Sequence, residues 1–191
     1  MSTSETVDFP ICSCPCGNGK IIKSVTTQDN PWSSADIDYY IGCNDCSKVW
    51  QIEYQSLVSR EEATAAKKAA NDYWSSRENL LSLINPLADN YFERLSAPSM
   101  AAEHREMCRL GISSSDIRNY RRLRNSGQSF SSICDPLRNA GWVKELISGS
   151  ELHVEYEALF AAMNDADANK RQAEKAIKRL PIIGSIPRTR Y

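Results

Sequence analysis

No long apolar run occurs in these 191 residues, and nothing approaches the ~20 consecutive apolar residues that cross a bilayer. Histidine is scarce: His104 and His153 both sit in ordinary helical pattern, and neither accompanies a recognisable nucleophile motif. The eight glycines never assemble into a phosphate-cradling loop. The opening MSTSETVDFP has neither the basic start nor the apolar stretch of a secretory signal. These gaps point away from membrane-spanning proteins, nucleotide-loop proteins and histidine-based enzymes. The expectation is a cytoplasmic protein that is not an enzyme.

An excess of either charge is lacking too, since 23 bases against 24 acids leave a net −1. That balance hides a strong segregation. Residues 1–104 carry eight bases and fourteen acids, and 105–144 carry eight and three. Residues 145–166 carry no base and five acids, and 167–191 carry seven bases and two acids. Two local basic patches are therefore available to a polyanion although the whole chain is nearly neutral. The 41% apolar content is ordinary for a chain that builds a core, and the length suits one large domain or two small ones.

Cysteine is what the sequence does have, seven in all, and four of them form two close pairs. Cys14-Pro-Cys16-Gly17 is answered by Cys43-Asn-Asp-Cys46. Thiolates two or three positions apart in a tight turn can both reach one Zn²⁺, and a second pair closes the tetrahedron. Four thiolates leave no position for water, so the zinc expected here is structural, not catalytic. A redox dithiol at Cys43 and Cys46 is the competing possibility. Cys12 is also in reach, so the set is Cys14, Cys16, Cys43 and Cys46, or one with Cys12 replacing a member of the first pair. Gly17 directly after Cys16, free to adopt positive φ, favours the former. Cys108 and Cys134 lie in helical sequence and are expected to be buried small apolar residues.

Between the pairs, Lys20–Thr26 and Asp36–Ile41 read as strands, and Lys48–Tyr54 alternates with Trp50, Ile52 and Tyr54 on one face. Residues 28–34 are turn-forming. With these knuckles, the segment resembles the zinc-ribbon families, in particular bacterial and phage ribbons opening with Cys-Pro-Cys-Gly-x-Gly. The resemblance covers about a quarter of the chain and ends after Tyr54. The commoner first knuckle has two residues between its cysteines, whereas this one has a single residue. It implies a three-stranded antiparallel sheet too small to hold itself together without metal. Aromatics on such a sheet (Trp32, Tyr39, Trp50, Tyr54) can stack on bases, but more commonly pack against the next helix.

Ser59-Arg-Glu-Glu62 is a capping box that announces a helix. Apolar or small residues follow at 66, 70, 73, 80, 84, 87, 91 and 95, a stripe expected to face the core, with a homodimer seam along 60–95 as the alternative. Pro86 predicts a break or kink. Ser99 is the expected cap of a helix ending at Gly111, and Ser113 the cap of the next, with Asp116 near its positive end. The 99–126 segment thus has helix-turn-helix grammar, with a third helix, Pro86 to Ser96, before it. Ser113 and Ser114 at the N-terminus of the second helix, with Arg118, Asn119, Arg121, Arg122 and Arg124 along it, suit phosphate and base-edge contact. A solvated or internally neutralised arginine face is the plainer alternative, with the acids of 145–166 as candidates. The spacing Gly111…Ser113…Ile117 recurs as Gly127…Ser129…Ile133. A final helix is expected over about 150–180.

The expectation is an α+β protein: a zinc ribbon at 8–56, a helical domain at 57–181 and a basic tail at 182–191. The function expected is a zinc-ribbon and helix-turn-helix protein that binds double-stranded DNA and regulates transcription. The alternative is a protein-interaction adaptor, or a phage or mobile-element inhibitor of a host protein machine.

Overall fold

Strands form where β-branched and aromatic residues alternate, but not all in the expected sheet. The computed structural model describes residues 4–28, 32, 34–96, 100–123 and 126–182, and the chain is α+β with two three-stranded antiparallel sheets. The first sheet contains β1 (Ser4–Ser13), β2 (Lys20–Gln28) and β3 (Asp36–Ile41), in that order. β1 is an edge strand, where Pro10 needs no ladder partner for its nitrogen, and its register shifts between Pro10 and Cys12.

The expected third strand is elsewhere. Residues 44–49 wind into a short helix, α1 (Asn44–Val49), because the Ser47 N–H bonds the Cys43 carbonyl at 2.9 Å. β4 (Trp50–Glu53) then turns back on β5 (Ser56–Ser59) through Tyr54 and Gln55, both at positive φ (46° and 62°). β6 (Arg179–Pro181) completes that second sheet on the other side of β5. Two-residue loops of this handedness normally use Asn or Gly, so this turn carries no sequence signal. Trp50 and Ile52 are half-buried, while Tyr54 and Trp32 are 93% and 92% exposed.

Helix α2 (Arg60–Ser96) begins with the Ser59 hydroxyl 3.5 Å from the Glu62 N–H and runs without interruption through Pro86. The expected break is absent because Leu80, Ile84, Ala88 and Phe92, on both sides of the proline, are fully buried. Packing on that scale outweighs one lost backbone bond. The expected separate helix at 86–96 is therefore the end of α2. Of its stripe, Leu80 and Ile84 are fully buried in this chain's own core, with Leu87 and Tyr91 partly buried against it.

Two compact units divide the chain, residues 1–69 with 170–191, and residues 70–169. The division falls inside α2 and inside α7 (His153–Ala176). In the first unit the β-strand at 179–181 lies within the stretch expected to be helical. Nine residues of the expected tail, 183–191, lie outside the described residues.

The 70–169 unit is built on α3 (Met100–Arg109), α4 (Ser114–Leu123), α5 (Phe130–Ile133), a 3₁₀ turn (Pro136–Asn139), α6 (Ala140–Ile147) and parts of α2 and α7. Its core centres on Phe92, stacked on Phe130 at 3.9 Å and edge-on to Trp142 at 5.8 Å. Cys134 is buried as expected, but Cys108 is exposed, because the buried face of α3 is formed by Glu103, Met107 and Leu110. Ser99, the expected cap of α3, lies outside the described residues.

Caps follow the sequence closely. Gly111, at φ +70°, ends α3 in a Schellman arrangement, its N–H on the Cys108 carbonyl and the Ile112 N–H on the Met107 carbonyl, both at 3.0 Å. The Ser113 hydroxyl accepts from the Asp116 N–H at 3.1 Å and lies 2.8 Å from the Ser115 hydroxyl. The repeated motif reproduces this geometry. Gly127 has φ +78°, and Ser129 accepts from the Ser132 N–H at 3.3 Å and lies 3.2 Å from Ser131 Oγ. Only the cap is repeated, since α5 stops after four residues. Phe92→Ala is expected to cost about 3–5 kcal/mol in urea unfolding followed through Trp142, and Ser129→Ala about 1 kcal/mol. A loss under 1 kcal/mol for Phe92→Ala would refute the packing described.

Candidate metal centre and the arginine-bearing helix

Antiparallel pairing brings the end of β1, the start of β2 and the end of β3 to one end of the first sheet, and both cysteine pairs belong to the loops there. In the first loop Pro15 occupies the second position of a tight turn, with the Gly17 N–H on the Cys14 carbonyl at 2.9 Å. Gly17 has φ +79°, and the Cys14 N–H bonds the Gly19 carbonyl at 3.0 Å. In the second loop Cys43 caps α1 and Cys46 lies one turn on, so both side chains share a helix face.

The four sulfurs of Cys14, Cys16, Cys43 and Cys46 lie within 4.8 Å of one another. Cys14 Sγ is 3.1 Å from Cys16 Sγ, and Cys16 Sγ is 3.5 Å from Cys43 Sγ. These separations are far too long for disulfides, which need about 2.0 Å. Both lie a little below, and the 4.8 Å outer limit of the set lies above, the edge of about 3.8 Å that a tetrahedron of sulfurs at about 2.3 Å from zinc requires. Cys14 and Cys46 are buried, Cys43 is half-buried and Cys16 is exposed. Cys12, paired across the strand with Ile21, is not in this group.

Gly19 shapes the site. A Cβ there would meet Cys43 Cβ at 2.5 Å and Cys14 Sγ at 3.3 Å, and the Gly19 N–H donates to Cys14 Sγ at 3.2 Å. Only glycine lets the two loops approach this closely.

The thiols interact as a set. Cys14 is brought down to about 7, chiefly by its hydrogen bond with Cys16, while Cys46 is pushed up to about 12, chiefly by hydrogen bonding with Cys16. Cys16 is raised as well, first by Cys14. Without a cation Cys14 therefore gives up its proton readily, whereas Cys16 and Cys46 hold theirs. A divalent ion reverses this, because its charge stabilises all four thiolates. The arrangement can hold a metal ion.

The second candidate site is α4. Ile117 and Tyr120 are buried in the core, and Ser113, Ser114, Arg118, Asn119 and Arg122 are exposed, with Arg121 half-buried. Arg124 lies outside the described residues. Among the described residues Arg118, Arg121 and Arg122 make no ion pair. Four other bases of the unit are paired: Arg109 with Glu106 and Glu145, Arg138 with Asp116 at 3.0 Å, Lys144 with Glu157 at 3.0 Å and Arg77 with Asp135. Of the acids at 145–166, Glu145 and Glu157 are spent on Arg109 and Lys144.

No protein-family model, no curated protein and no solved structure matches this chain. No helix among the described residues is long and apolar enough to cross a membrane.

Metal binding must displace the thiol protons, so titration with Zn²⁺ at neutral pH is expected to release roughly three protons or more, with affinity falling as pH is lowered. Calorimetry in buffers of different ionisation enthalpy measures this. Gly19→Ala should weaken the metal at least tenfold, whereas Cys12→Ser should leave affinity unchanged. Equal loss in both variants would count against the four-sulfur assignment.

Proposed function

We propose that the chain is a zinc-ribbon and helix-turn-helix protein that binds double-stranded DNA and acts as a regulator. In this reading Zn²⁺ on Cys14, Cys16, Cys43 and Cys46 is structural, and α4 is the helix offered to the duplex. The observation that carries it is the contrast on the helical unit: Arg109, Arg138 and Lys144 are neutralised, while Arg118, Arg121 and Arg122 on α4 are not. Guanidinium forks are suited to phosphate and guanine edges, and Asn119 to adenine. Ser113 and Ser114 add hydroxyls where phosphate favours a helix start. Gly111 and the Ser113 cap hold the turn that sets α4 against α3.

The alternative, a protein-interaction adaptor, draws support from the apolar side chains left exposed on the first sheet, Val7, Phe9 and Ile37.

Fluorescence anisotropy with labelled duplexes over a range of salt tests the DNA reading. Affinity should fall steeply with salt, and Arg118→Ala/Arg121→Ala/Arg122→Ala should reduce the log–log slope by about 2–3. An unchanged slope, with the triple variant folded by circular dichroism, would sink the assignment to α4.

A further inference from the structure

The first sheet has two chemically distinct faces. Its register sets Phe9, Lys23 and Tyr39 in one cross-strand row and Val7, Val25 and Ile37 in the next. Alternate residues share a face, so both rows lie on one side, followed by Glu5 beside Thr27. The reverse side carries a polar row, Asp8, Ser24 and Asp38, beside the Pro10–Ile22–Tyr40 row, whose Tyr40 hydroxyl donates to Asp8 Oδ2 at 2.6 Å. On the apolar side Val7 is 43%, Phe9 49% and Ile37 46% exposed. One isolated apolar residue at a surface is ordinary, but a contiguous row-by-row patch calls for a covering partner.

We propose that this face is covered by the same face of a second copy of the chain, the two sheets stacking as a sandwich. The charges decide the occupant. Glu5 and Lys23 are the two charged residues that the register places on this side, and neither forms an ion pair among the described residues. One acid and one base give the face no net charge, which does not suit a polyanion, and the reverse side adds Asp8, Asp36 and Asp38 against Lys20. The face is instead its own complement. A two-fold axis running across the strands through the Val7–Val25–Ile37 row carries each Lys23 row over the partner's Glu5–Thr27 row. Two equivalent Glu5–Lys23 pairs then flank an apolar centre, as an isologous contact requires. A patch of a few short cross-strand rows is small against the roughly 1,200–2,000 Å² of total burial in standard specific interfaces. A weak dimer is expected, and it stands whether or not α4 binds DNA.

Sedimentation equilibrium of the full chain across the micromolar range, without nucleic acid, tests this. A concentration-dependent dimer is expected. Lys23→Glu and Glu5→Lys should each raise its dissociation constant about tenfold or more, and the double variant should return it to within a few-fold of the original. Phe9→Ser should abolish it, with the thermal melt of each variant recorded to show that the fold is retained. A monomer at every concentration overturns the proposal. So does a dimer indifferent to both single changes, or one not recovered by the double exchange. Saturable binding of an oligothymidylate that is lost in Phe9→Ser, with no dimer, would instead assign the face to single-stranded nucleic acid.

Discussion

Four sulfurs from two separate loops converge within 4.8 Å at one end of a three-stranded sheet, and the first unit depends on that convergence. Most side chains of the sheet are exposed or half-exposed; Ile21, near the cysteine loops, is the buried one. A sheet with so little apolar burial gains little from the hydrophobic effect. Contacts at the loops therefore matter out of proportion to their number. The Gly19–Cys43 approach is one of them, because it decides how near the loops can come.

The 70–169 unit is held by different means. Its core is a cluster of aromatic rings around Phe92, and its helix ends are closed by small polar devices. Asp89 of α2 shows how the two combine. Its carboxylate accepts from the Ser131 N–H at 2.7 Å and the Ser131 hydroxyl at 2.8 Å, so a core helix also satisfies the start of α5. Because α4 is anchored on one side by Ile117 and Tyr120, its opposite face is presented in a fixed orientation.

Local chemistry was legible in the sequence, and distant pairing was not. Paired cysteines, Gly111 with Ser113, and the echo of that pair at Gly127 and Ser129 each rest on contacts within a few residues, which spacing records. The third strand was misplaced because the Tyr54–Gln55 turn reverses the chain without the Gly or Asn that marks such turns. Pro86 misled for the opposite reason: a strong local signal was overridden by burial on both sides, which only the folded chain reveals. Cys108 looked apolar by type and helical setting, yet the face it occupies is set by Met107 and Leu110 beside it. β6 pairs with β5 across more than a hundred residues, and no local pattern announces such a partner.

That last pairing bears on the order in which the chain can be assembled during synthesis. Residues 70–169 form a continuous unit and can fold as soon as they leave the ribosome. The unit that begins the chain is discontinuous, and its second sheet stays one strand short until residues 179–181 emerge. The cysteine loops, complete by residue 46, are available much earlier. Metal capture and helical folding can both precede closure of the second sheet, so the unit that starts before the helical one is completed after it.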